Sequence, residues 1–274
     1  FLILDFLNKY DSFVFLNNNM IASKKFDDND YQFNPESRHG VYIIHGFTNT
    51  TYEVKELAIY LSEQGFYTRA DNLPGHGTTI EDCNRSHYTD WIEFVEQGVA
   101  EMASCCENVY VIGISMGSVL ALHLCSIFPL NAAVFASTVL DFKNNFSVRI
   151  MAPLFHRFFP SRLKKKTYLK NIRDSIDFFG YDAWPTAAVN EMRKLTNDVR
   201  DILPMVKCPS LVIHSERDYL SPQSNISLVY DTISSENKEK LILKRAGHNL
   251  FASNPEQEII FQKTGEFLKN NQRI

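Results

Sequence analysis

The chain has 274 residues, of which 45% are hydrophobic and 22% charged, and its formal net charge is −4. These values describe an ordinary globular protein with one sizeable core. They exclude binding to nucleic acid through bulk positive charge, because no basic excess exists to neutralise phosphates.

The five cysteines (Cys83, Cys105, Cys106, Cys125 and Cys208) are odd in number and have no metal-ligand spacing. They read as reduced thiols, which places the protein in the cytoplasm. The apolar opening Phe1-Leu2-Ile3-Leu4 is cut short by Asp5 and has no basic front. It is too short to span a bilayer or act as a stable membrane anchor, and no other segment reaches ~20 apolar residues.

Residues 1–37 have no clear pattern. Asn17-Asn18-Asn19 and Asp27-Asp28-Asn29-Asp30 read as loops or hairpin ends. Regular organisation starts with Val41-Tyr42-Ile43-Ile44, a short buried strand that runs into His45-Gly46. Helical spacing follows over 53–65, with Gly65 as its stop, and a strand from Phe66 to Asn72 leads to Pro74-Gly75-His76-Gly77. An amphipathic helix covers 88–104, a strand covers Val109–Ile112 and a helix runs from about Ser115 to Ile127. Ala132–Ala136 is the next strand.

The rhythm breaks over 141–205, which shows helices and loops but no obvious strand. It resumes with the strand Ser210–His214, a helix over 221–233, the strand Lys240–Leu243 and a helix over 255–270. Strands alternating with helices predict an α/β fold with a mostly parallel central sheet flanked by helices. Residues 1–140 and 206–274 then form the core, and 141–205 form a helical insertion above the sheet. The Lys164-Lys165-Lys166 triplet in that insertion reads as a solvated helix face.

Gly113-Ile114-Ser115-Met116-Gly117 is a Gly-x-Ser-x-Gly pattern between a strand and a helix. The flanking glycines leave room for an abrupt corner that projects the serine hydroxyl at a helix N-terminus, where partial positive charge suits an anionic intermediate. The bland alternative is a structural serine in a glycine-rich turn. A serine hydroxyl needs a base, and the base needs an acid to orient it; on this scaffold the chain order is serine, acid, histidine.

His248, in Ala246-Gly247-His248-Asn249 after a strand, fits the base. His45 and His76 precede the serine, and His39, His87, His123, His156 and His214 lack supporting context. For the acid, Asp218 lies after the strand Leu211–His214, with Glu216 and Asp141 as rivals. Two backbone N–H groups must hold the oxyanion of acyl transfer; Met116 follows the nucleophile, and Phe47 lies in the loop His45-Gly46-Phe47-Thr48.

Taken together, these segments resemble the α/β-hydrolase superfamily over roughly residues 40–270. Within it the chain is similar to small bacterial carboxylesterases and monoacylglycerol lipases. The Pro-Gly-His-Gly segment, the elbow with Met after Ser, and Tyr219-Leu220-Ser221-Pro222 after the acid carry that likeness. The resemblance implies a triad of Ser115, Asp218 and His248, oxyanion donors at Phe47 and Met116, and a helical cap over 141–205. It implies hydrolysis of a small carboxylic ester of short to medium acyl chain, monoacylglycerols among them, through an acyl-enzyme without metal or cofactor. Thioesters or other acyl bonds, and a non-catalytic binding role on the same fold, are the alternatives. Phe146, Met151, Phe155, Phe158 and Phe159 are candidates to shape an acyl pocket, though packing the insertion onto the core is the preferred role for most of them.

Overall fold

The computed structural model describes residues 29–164 and 180–272. Its main sheet has seven strands in the order β1-β3-β2-β4-β5-β8-β9. These are β1 (Tyr31–Phe33), β2 (His39–Ile44), β3 (Tyr67–Ala70), β4 (Asn108–Ile114), β5 (Ala132–Ala136), β8 (Ser210–Ser215) and β9 (Lys238–Leu243). All neighbours pair parallel except β1, which runs antiparallel to β3 at the edge, with Tyr31 opposite Ala70. The patternless stretch before residue 38 thus supplies an edge strand of three residues, too short for alternation to register. The opening residues 1–4, Asn17–Asn19, Asp27 and Asp28 lie outside the described residues.

Side chains of a strand alternate between faces, so a sheet buried on both sides reads as continuous apolar runs. Val109, Val111, Phe135, Ala133 and Val212 point into one core cluster. Tyr110, Ile112, Ile114, Val134, Leu211 and Ile213 point into the other. The first face is covered by α3 (Tyr88–Cys105), α4 (Met116–Ile127) and α7 (Ser224–Thr232), and the second by α1 (Lys55–Glu63) and α8 (Gln257–Asn270). Helix α1 stops where the sequence indicates: Gly65 has φ 96°, its N–H bonds to Ser62 O, and the Phe66 N–H bonds to Leu61 O, the two bonds of a Schellman cap. The short helix α2 (Ile80–Arg85), capped by the Thr79 hydroxyl, has too few turns to show periodicity in the sequence.

Between β5 and β8 the chain leaves the main sheet. A π-helical turn (Ser147–Met151) runs into α5 (Ala152–Phe155), and α6 (Thr186–Ile202) returns across the body. Two short strands that the sequence did not suggest, β6 (Ser161–Leu163) and β7 (Ala183–Pro185), pair antiparallel with Arg162 opposite Trp184. Three-residue strands form here because distant segments meet, which no local pattern records. The expectation that Lys164 faces solvent on a helix fails: it follows β6 and is only 3% exposed, because its amine is taken up by Thr48. Lys165 and Lys166 lie outside the described residues.

The core reaches the carboxyl edge of the sheet through Trp91 on α3. Its ring is fully buried, packs edge-on against Phe47 and His76, and donates Nε1–H to Pro74 O at 3.0 Å. Trp91→Ala is expected to cost about 3–5 kcal/mol, as other large aromatic truncations do, read as a lowered urea midpoint at unchanged slope.

Candidate active site

The chain passes from β2 to β3 on one side and then to β4 on the other, so the topological switch of the sheet lies between β2 and β4. Ligand crevices of open α/β sheets form at the carboxyl ends of such strands. At the end of β4, Ser115 has φ 57° and ψ −116°, and α4 starts at the next residue. A left-handed backbone costs a non-glycine residue about 1–2 kcal/mol. It is imposed by crowding. A Cβ on Gly113 would sit 2.1 Å from Gly117 O, and one on Gly117 would sit 2.2 Å from Ile44 O. The Ser115 N–H is pinned to Ala136 O at 2.9 Å on the adjacent strand.

His248 and Asp218 come from the loops after β9 and β8. His248 Nε2 lies 2.9 Å from Ser115 Oγ, and its Nδ1 lies 2.7 Å from Asp218 Oδ2. With Asp218 ionised, Nδ1 carries the proton and Nε2 is free to accept one. The other Asp218 oxygen accepts the N–H groups of Leu220 and Ser221, both at 2.8 Å. Burial opposes its charge, but His248 and these N–H groups outweigh burial and hold the carboxyl below its ordinary value. For His248, burial disfavours the imidazolium, and the Asp218 carboxylate overcomes it and raises the pKa above 6.5. Of the rival acids, Glu216 is exposed and Asp141 accepts Arg149 and Arg200 at 3.2 and 3.0 Å.

The loop 45–48 passes directly behind the serine: a Cβ on Gly46 would lie 3.2 Å from Ser115 Cβ. His45 is held neutral between Gly46 O, on Nδ1, and the Leu73 N–H, on Nε2; burial pushes its pKa down to about 4. Its ring packs edge-on against His76, so both histidines excluded by chain order support this loop. Met116 is the first residue of α4, so its N–H has no acceptor within the helix. Phe47 lines the cavity that also holds Ser115 and His248.

That cavity has a volume of about 590 Å³ and is mostly apolar. Phe146, Met151, Phe155 and Phe159 line it, whereas Phe158 does not. Several supporting residues carry no sequence signal. Ser137, itself at φ 45°, donates to His248 O at 2.8 Å, and Ser215 donates to Ala246 O. The Glu256 carboxylate accepts the Arg245 and Ala246 N–H groups at 2.8 Å, fixing the loop that carries the histidine. Lys143 donates to Asp218 O. Such contacts join residues far apart in sequence, and a lone Ser or Glu in a loop does not announce them.

A mostly parallel sheet with a serine elbow at its switch point and a histidine–carboxylate pair at neighbouring strand ends defines the α/β-hydrolase class. Within that class the chain belongs to the Hydrolase_4 family, described as serine aminopeptidase, S33, whose model matches residues 35–255. It is 28% identical over 235 residues to a thermostable monoacylglycerol lipase of Bacillus sp. (strain H-257), covering 83% of this chain and 89% of that one. It is 24% identical over 230 residues to a carboxylesterase of Bacillus subtilis (strain 168), covering 84% and 92%. Among solved structures, one described with the metagenome-derived lipolytic enzymes LipS and LipT superposes with a TM-score of 0.79 at 24% identity, covering 89% of this chain and 98% of that one.

The relay separates Asp218 from Asp141 by experiment. Asp218→Asn is expected to lower kcat on the order of 10⁴-fold by removing the charge that orients the base. Asp141→Asn is expected to leave kcat within about threefold, since its partners are the half-buried Arg149 and Arg200 rather than His248. The base must be neutral to act, and its pKa is raised. Activity should therefore fall as pH drops through a midpoint above 6.5, seen in the acid limb of kcat/KM.

Proposed function

We propose that the protein is a serine carboxylesterase acting on esters of short to medium acyl chain, monoacylglycerols among them, with residues 141–205 as a cap over the acyl pocket. The observation that carries this reading is the Asp218–His248–Ser115 hydrogen-bond relay opening into an apolar cavity walled by that segment. The similarity to a monoacylglycerol lipase and a carboxylesterase supports it.

In the mechanism, Ser115 Oγ attacks the ester carbonyl as His248 Nε2 takes its proton. Asp218 holds the tautomer and stabilises the imidazolium. The Phe47 and Met116 N–H groups receive the oxyanion beside the positive end of α4. His248 then protonates the leaving alcohol, and water activated by the same nitrogen releases the acid. The apolar wall holds the acyl chain, with Phe146, Met151, Phe155 and Phe159 closest in kind to it.

An aminopeptidase must pair the α-ammonium of its substrate with an anion. Among the described residues the cavity wall carries Lys143 and Arg162 but no Asp or Glu, which favours neutral or anionic esters. No helix among the described residues is long and apolar enough to cross a membrane. The five free thiols support a reducing compartment, the cytoplasm.

Nitrophenyl esters of graded chain length, acyl-CoA thioesters and aminoacyl amides, assayed side by side, test the assignment. Ester turnover should dominate, with a maximum at short to medium chains. Ser115→Ala should lose about 10⁴-fold or more of it, together with labelling by a fluorophosphonate probe. Negligible ester turnover beside efficient thioester or amide cleavage would overturn it.

A further inference from the structure

Lys164 stands in a run of three lysines, yet it is almost fully buried. Taking an ammonium out of water is costly unless specific partners receive it. Here Nζ donates to Thr48 Oγ1 at 2.8 Å and sits 4.4 Å from the centre of the Trp184 ring. That ring stacks on Phe47, with centroids 6.2 Å apart and planes 9° apart. The backbone N–H of Lys164 bonds to Asp182 O at 3.0 Å, fixing where the side chain starts. Burial pushes the amine down to about 7, while the charges of Asp182 and Glu53 favour its protonated form.

The acceptor is itself unusual. Thr48 has φ 63°, a left-handed backbone that a β-branched residue rarely adopts. It persists only where the surroundings over-determine it. From one side, the Tyr181 N–H reaches Thr48 O at 2.9 Å and Lys164 reaches its hydroxyl. From the other, the buried Glu53 carboxylate accepts the Gly46 N–H at 2.7 Å and Asn49 Nδ2–H at 2.6 Å. Phe47, the proposed oxyanion donor, lies between these two clamps.

We infer that Lys164 is a positioning residue for ester hydrolysis: its buried amine, bonded to the Thr48 hydroxyl, holds the strained loop 46–49 so that the Phe47 N–H faces the oxyanion. The inference rests on the esterase reading above. An apolar side chain would seat this segment on the core without the desolvation cost of an amine, and replacing buried charged groups with apolar ones is often neutral or stabilising. The amine therefore contributes to the geometry of the loop rather than to stability, and those two roles separate by measurement.

Wild type, Lys164→Met, Thr48→Val and the double variant are compared for kcat and KM on a short nitrophenyl ester and for Tm. Lys164→Met should lower kcat by about tenfold or more with KM changed less than about threefold. Its Tm should stay within about 3 °C of wild type or rise. The double variant should lose no more than about threefold beyond the worse single one, since both substitutions break the same hydrogen bond. A smaller loss of kcat, a loss that follows a lowered Tm, or two losses that multiply overturns the inference. If Lys164→Met does not fold, Thr48→Val decides alone, by the same kcat threshold. Absence of ester turnover by wild type fails the esterase reading itself and takes this inference with it.

Discussion

At Ser115 the backbone turns from β4 into α4 with φ 57°, and the turn exists because Gly113 and Gly117 let strand, helix and the end of β2 approach within distances no Cβ would permit. Everything in the site is placed relative to that corner. The N-terminus of α4 lies beside the hydroxyl, the loop after β2 passes behind it, and the loops after β8 and β9 bring the carboxylate and imidazole to the other side. Backbone strain recurs at Thr48 and Ser137, both just beyond the carboxyl ends of strands. A sheet buried on both faces is rigid enough to hold three such residues out of their preferred conformations.

Electrostatics in this region depends on burial more than on net charge. His45 is kept neutral because burial disfavours its charged form and pushes the pKa down to about 4, against the opposing hydrogen bond to Gly46 O. Glu53 is pushed up to about 7 by burial, and its hydrogen bonds to Gly46 and Asn49 act in the opposite direction. Asp218 and His248 shift in opposite directions despite burial: each stabilises the charged form of the other, which lowers the carboxyl and raises the imidazole. Buried, fixed groups of this kind need little reorganisation when charge develops beside them.

The segment between β5 and β8 does more than line the cavity. Through Lys164 and Tyr181 it touches the loop that carries Phe47, and through Lys143 it touches the loop that carries Asp218. Its wall residues and the loops that carry Phe47 and Asp218 are thus parts of one packed unit.

The sequence by itself determined the alternation of strands and helices, the elbow around Ser115 and the chain order that singles out His248. Each follows from short-range rules: apolar runs for doubly buried strands, glycines where a corner is crowded, and the fixed order of parallel connections. Asp218, Glu216 and Asp141 remained open because all three follow strands, and only the fold shows which carboxylate reaches the imidazole. The edge strand β1, the β6–β7 pair and the burial of Lys164 were likewise decided by tertiary structure. They depend on segments tens of residues apart meeting in space, and a three-residue strand or a lysine among lysines leaves no periodic trace in the chain.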